Sequence, residues 1–101
     1  MAEKRKVVLT QEATEQVSEI YEFFLLEDER GAAEEFINDF LDVVFGEIPR
    51  FPEQFPICEN VKSSSTDYRM GSIAEEFRVI FQIFRDKVWI LMVIHETELP
   101  E

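Results

Sequence analysis

A single cysteine, Cys58, and a single histidine, His95, stand in a chain of 101 residues that also holds only three glycines. One cysteine excludes an internal disulfide and fits a reducing cytoplasm. A Cys–His catalytic pair has little support, because the two lie 37 residues apart and neither sits in a nucleophile motif. Long apolar runs are missing too. The longest, Val88 to Ile94, falls far short of the ~20 residues a membrane helix needs, so no membrane partner is expected. The start, Met1 to Leu9, carries charges and no long apolar region before a cleavage site, so no secretory leader is expected. There is no Gly-rich phosphate loop, no zinc spacing and no serine-triad signature, and hence no cofactor or metal is expected. Pairs such as Glu34-Glu35 and Glu75-Glu76 lack metal-site spacing and read as solvated surface.

Bases are also scarce. Lys and Arg number 10 against 22 Asp and Glu, a formal net charge of −12. The imbalance is local: residues 11–48 carry twelve acids against Arg30 alone, whereas residues 1–10 are net positive. Nucleic-acid affinity comes mainly from cations neutralising phosphates, so direct RNA or DNA binding is disfavoured over most of this surface. The acids either keep a small protein soluble or form a docking face for a basic partner.

What the chain does have is apolar mass, 46% of its residues with ten Phe among them. That suffices for one core, and residues 1–101 read as a single domain of two layers. Lys6 to Leu9 reads as a first strand. Thr10 is placed to cap a helix, with Glu12 in its first turn. Ala13, Val17, Ile20, Tyr21, Phe24 and Leu25 then recur at three- and four-residue steps, the stripe of an amphipathic helix. Phe23 and Leu26 fall off that stripe, as half-exposed residues or as a partner surface. After Glu27 to Gly31 a second stripe runs through Ala33, Phe36, Ile37, Phe40, Leu41, Val44 and Ile48, and Pro49 and Pro52 are expected to end it. Two such helices on a short connection should form an antiparallel hairpin.

Arg50 to Asp67 reads as irregular, with Phe51, Phe55 and Ile57 pinning it to the core. Lys62 to Asp67 is polar enough to be mobile. The last third is the densest. Tyr68–Ile73, Phe77–Phe84 and Lys87–His95 are β-rich runs split by Ala74-Glu75-Glu76 and by Arg85-Asp86, a meander of antiparallel strands. With Arg85-Asp86 as the turn, Ile83 faces Val88, Phe81 faces Ile90, Val79 faces Met92 and Phe77 faces Ile94. That gives one apolar face for the helix hairpin. The other face then carries Arg69, Arg78, Ile80, Gln82, Phe84, Trp89, Leu91, Val93 and His95.

The order of these pieces resembles the RelE/ParE toxin superfamily of bacterial type II toxin–antitoxin modules, also known as plasmid stabilisation proteins. Val7-Val8-Leu9-Thr10 with Glu12-Ala13 resembles the family's first strand and helix start, and Ile20-Tyr21-Glu22-Phe23 its helix-one signature. Phe51-Pro52-Glu53-Gln54-Phe55-Pro56 resembles the loop after helix two. Tyr68-Arg69, Phe77 to Phe81 and Val88 to His95 resemble its strand block. The resemblance implies an α+β fold of order β-α-α-β-β-β. In it an N-terminal strand precedes an antiparallel two-helix hairpin packed on a small, mainly antiparallel sheet. It implies an antitoxin partner and one of two activities, mRNA cleavage in RelE-like members or poisoning of DNA gyrase in ParE-like ones.

RNA-cleaving members use basic groups near the end of the second strand and after the last. Here those places hold Ser72-Ile73 and Glu96-Thr97-Glu98, and carboxylates beside a phosphodiester oppose both binding and catalysis. The reading is therefore ParE-like, acting by binding a protein. The alternatives are a metal-independent endoribonuclease using Arg69, Arg78 and His95, or a toxin-like interaction protein without activity. Arg78 serves a phosphate or partner contact, or an ion pair with Glu76 or Glu96. His95 is an acid or base, or a structural side chain. Trp89, Arg78, Phe23 and Leu26 are the candidate partner-binding residues. A homo-oligomer stays open.

Overall fold

The computed structural model describes residues 4–62 and 67–99. The chain runs from β1 (Lys6–Leu9) to α1 (Gln11–Leu26) and α2 (Arg30–Asp42), then through β2 (Ile57–Lys62), β3 (Asp67–Ile73), β4 (Phe77–Phe84) and β5 (Lys87–His95). The strands form one sheet in the order β1-β5-β4-β3-β2. β1 lies parallel to β5, and every other pairing is antiparallel. The expected α+β fold is thus present, with a fifth strand added. β2 occupies part of the stretch read as irregular from its prolines. Pro52 and Pro56 both precede it, so neither removes a ladder donor from the strand. The expected mobility of Lys62–Asp67 falls largely on residues 63–66, which lie outside the described residues.

Thr10 does two jobs at the β1–α1 junction. Its Oγ1 accepts from the Ala13 N–H (3.2 Å), capping α1, and donates to the Ile90 carbonyl (2.8 Å), tying that cap to β5. Ala13 and Val17 are buried, with Ile20 and Phe24 packed alongside. Leu25, expected on the buried stripe, is exposed, as the amphipathic face is narrower than its spacing suggested. α1 closes on Asp28, whose φ of 58° is left-handed, a conformation that Asp tolerates better than most side chains.

α2 does not stop at Pro49. It loosens into a π-helical turn, Val43–Glu47, and continues as one turn, Ile48–Arg50. Proline lacks the N–H for the ordinary ladder and crowds the carbonyl four residues back, and a widened turn ahead of it relieves both. The wider turn keeps Val44 and Ile48 in the core, while Leu41 and Phe45 face outward. Leu41 therefore departs from its expected burial. Phe51 and Ile57 do so as well, being about half exposed, and Phe55 alone of the three pins the loop, its ring 5.5 Å from Phe81. Gly71 makes room for it: a Cβ there would lie 2.9 Å from the Phe55 ring.

The β4–β5 register starts as expected, with Ile83 opposite Val88 and Phe81 opposite Ile90. A bulge then intervenes between Ile80 and Phe81, so Val79 faces Val93 and Phe77 faces His95. One extra residue on β5 flips every later side chain. Val93, expected outside, joins the helix-facing core with Phe36, Phe77, Val79, Phe81, Val88 and Ile90. Met92 and Ile94, expected inside, pack on the outer face with Cys58, Ile80, Tyr68, Met70 and Leu99. The bulge is held from α1, where the Gln16 side chain accepts from the Val93 N–H at 2.7 Å. The sheet thus has two apolar faces, and the outer one is covered only in part.

Candidate functional site

The three candidate catalytic residues do not converge. Arg78 pairs with Ser72 and Ile94 on the outer face of the sheet. Its guanidinium meets Glu96 Oε2 at 2.9 Å and donates to the carbonyls of Glu75 (2.6 Å) and Phe77 (2.9 Å). The ion-pair reading of Arg78, with Glu96, is therefore the one the geometry shows. Arg69 was expected on that face too. It pairs with Phe81 instead, on the opposite side, and donates to the carbonyls of Glu53 (3.1 Å) and Phe55 (2.7 Å). It holds the Pro-bounded loop against β3.

His95 turns inward with the bulge, its ring edge-on to Phe77 at 5.4 Å. Its Nδ1 accepts from the Thr97 N–H (3.2 Å), and the backbone N–H of His95 donates to Glu98 Oε1 (3.0 Å). These bonds form a capping box for the short 3₁₀ turn Glu96–Glu98. Nε2, on the other side of the ring, lies 3.9 Å from Glu76 Oε2. Arg69, Arg78 and His95 are thus each engaged by carbonyls, carboxylates or a helix cap, on two sides of one sheet. They do not form the cationic cluster that a phosphorane would need. Among the described residues no group of His, Cys, Asp and Glu could hold a metal ion, and no helix is long and apolar enough to cross a membrane.

Trp89 lies half-buried on the outer face opposite Gln82, and its indole N–H is buried without a hydrogen-bond partner. Phe23 and Leu26 behave differently from every other candidate. Phe23 is 56% and Leu26 81% exposed, one turn apart at the C-terminal end of α1. Phe23 is edge-on to Phe24 at 5.9 Å, and Phe24 in turn touches Phe77 (5.9 Å) and Phe36 (6.4 Å). A line of rings therefore leads from the core to the surface.

Beside it opens a groove of about 320 Å³ between the helix hairpin and the β3–β4 turn. Phe24, Phe36 and Phe77 line its apolar part, and Glu29, Glu35, Glu75 and Glu76 its charged part. The turn is held by Asp39 of α2, whose Oδ2 accepts from the Ala74 N–H at 2.6 Å. Ala74 and Glu75 both have positive φ, 48° and 62°, which L side chains adopt at a cost. Glu75 and Glu76 are exposed, as expected of solvated surface. No local pattern could have joined them to Glu29 and Phe24, because the groove exists only where two distant segments meet.

The fold is shared with solved structures. One, titled as the chromosomal ParDE TA system from P. aeruginosa, superposes with a TM-score of 0.71 at 14% identity, covering 91% of this chain and 96% of that one. The toxin–antitoxin complex RelBE2 from Mycobacterium tuberculosis gives 0.58 at 16% identity, over 93% of this chain and 100% of the other. A copper-bound mutant toxin from Helicobacter pylori gives 0.54 at 15% identity, over 94% and 98%. No curated protein matches the sequence. The family model for the ParE toxin of the type II toxin–antitoxin system parDE matches residues 7–100, from β1 past the capping box of His95. Fold, element order and family match coincide over that span, and the chain belongs to the ParE toxin family of type II toxin–antitoxin systems.

Proposed function

We propose that this ParE-family toxin acts by seating on a protein, with DNA gyrase as the candidate target, and that a cognate antitoxin neutralises it. The working compartment in this reading is the cytoplasm. The observation that carries it is the pair of large apolar side chains, Phe23 and Leu26, left in solvent at the end of α1. Exposed apolar surface next to a groove is what a protein partner covers. Its neighbours P. aeruginosa ParDE and M. tuberculosis RelBE2 are titled as toxin–antitoxin assemblies, which supports the antitoxin half of the reading.

RNA cleavage is the less supported alternative. Arg69 and Arg78 are committed to carbonyls and to Glu96, and the net charge of −12 opposes approach of a polyanion. Inducible expression tests the choice. We expect growth arrest with DNA damage and loss of gyrase supercoiling, relieved by co-expressed antitoxin. Arrest accompanied by transcript cleavage would overturn the protein-binding mechanism, and no arrest would leave an interaction protein without toxicity.

A further inference from the structure

The exposed apolar end of α1 and its groove specify more about their occupant than its being a protein. The groove has a floor of three Phe rings, continued to the surface by Phe23, and a rim of four glutamates. Its setting is the most acidic part of the chain, residues 11–48, where Arg30 faces twelve acids. An acidic or purely apolar segment would leave those carboxylates desolvated and unpaired on docking, which is costly. A nucleic acid would be repelled. A second copy of this chain would bring another net −12 to the same face.

A Lys or Arg side chain, by contrast, has an apolar stem for the aromatic floor and a cationic head for the rim. We propose that the groove takes a basic, amphipathic polypeptide segment. Apolar side chains of that segment cover Phe23 and Leu26, and a Lys or Arg enters between Phe24, Glu29, Glu35 and Glu75. This rests on the antitoxin reading only for the segment's biological source. The chemistry of the occupant follows from the groove itself. Steering by the acidic helices would speed encounter at low salt, and the apolar contacts would hold the complex once formed.

The test uses the full chain and two labelled synthetic helical peptides of identical leucine pattern, one with lysines on its polar face and one with glutamates. We expect the lysine peptide to bind and the glutamate peptide to fail. Phe23→Asp, and separately the triple change Glu29→Gln, Glu35→Gln and Glu75→Gln, should each weaken binding by about tenfold. A control triple of equal charge change at exposed sites elsewhere, Asp42→Asn, Glu47→Gln and Asp86→Asn, should cost less than about twofold. If the control triple weakens binding as much as the groove triple, attraction is a property of net charge and the site is wrong. Equal binding of both peptides, or binding of neither, also overturns the proposal. Circular dichroism of each variant separates loss of fold from loss of binding. A parallel assay with the antitoxin keeps the two claims apart. An antitoxin that neutralises the groove triple as well as the parent sinks the groove and leaves the antitoxin reading standing. An absence of any neutralising antitoxin removes that reading, while the peptide result still judges the groove.

Discussion

Arg78 shows how a residue of catalytic type can be spent on structure. Its side chain is only 19% exposed, and its guanidinium bridges two turns, binding the carbonyls of Glu75 and Phe77 on one side and the carboxylate of Glu96 on the other. Replacing Arg78 by Ala leaves those acceptors short of donors, and we expect a loss of about 1–3 kcal/mol in urea denaturation. A stability unchanged within about 0.5 kcal/mol would show that the network contributes little. Gly71 is a residue of the opposite kind, needed for what it lacks. A Cβ would sit 2.9 Å and 3.1 Å from two atoms of the Phe55 ring and 3.3 Å from Val79, so Gly71→Ala must push Phe55 off Phe81. Overpacking of this sort costs about 1–3 kcal/mol, measurable as a lower denaturation midpoint. The ion pair of Arg78 with Glu96 was among the sequence expectations, whereas its two carbonyl contacts and the role of Gly71 were not visible there. Arg69 and Arg78 look alike as cations within β-rich runs, and only the pairing of β3 with β4 puts them on opposite faces.

Among the elements, the bulge in β5 decides most. It exposes one N–H, at Val93, that no strand receives, and Gln16 supplies the acceptor from α1. Gln16→Leu preserves the size of the side chain and removes that acceptor. We expect it to cost about 1–3 kcal/mol and to speed amide exchange at Val93. If exchange at Val93 stays as slow as in the parent, another group satisfies the bulge. The β3–β4 turn carries the reverse signature, two successive non-glycine residues at positive φ. Ala74→Gly should relieve part of that strain and raise stability by about 0.5–1 kcal/mol, read from the shift in thermal midpoint. The strained pair stands on the rim of the groove, with Asp39 fixing it from α2, and strain of this kind is commonly retained where a surface has a task.

At the scale of the whole molecule the charge distribution and the two apolar faces set the behaviour. Helices, turns and the three late strands were readable directly, because periodicities of 3.6 and 2 residues are written locally in Val17, Phe24, Phe36 and Phe40 and in Phe81 and Ile90. Element order then carried the family resemblance. β2 was not readable, since prolines on its approach mask a short edge strand, and neither was the flip of Met92 and Ile94 to the outer face. The candidate site was half visible: Phe23 and Leu26 stand off their helical stripe, whereas Glu29, Glu35, Glu75 and Glu76 announce nothing until the hairpin and the turn come together. By itself the sequence determined the α+β class, the cation-poor surface and the exposed pair on α1, since each depends on composition or on neighbours within two helical turns. The tertiary structure alone decided the β5 register, the placement of Arg78 on the sheet face opposite to Arg69 and His95, and the existence of the groove. Those depend on contacts between segments tens of residues apart, where one inserted residue reverses a face and no local pattern records it.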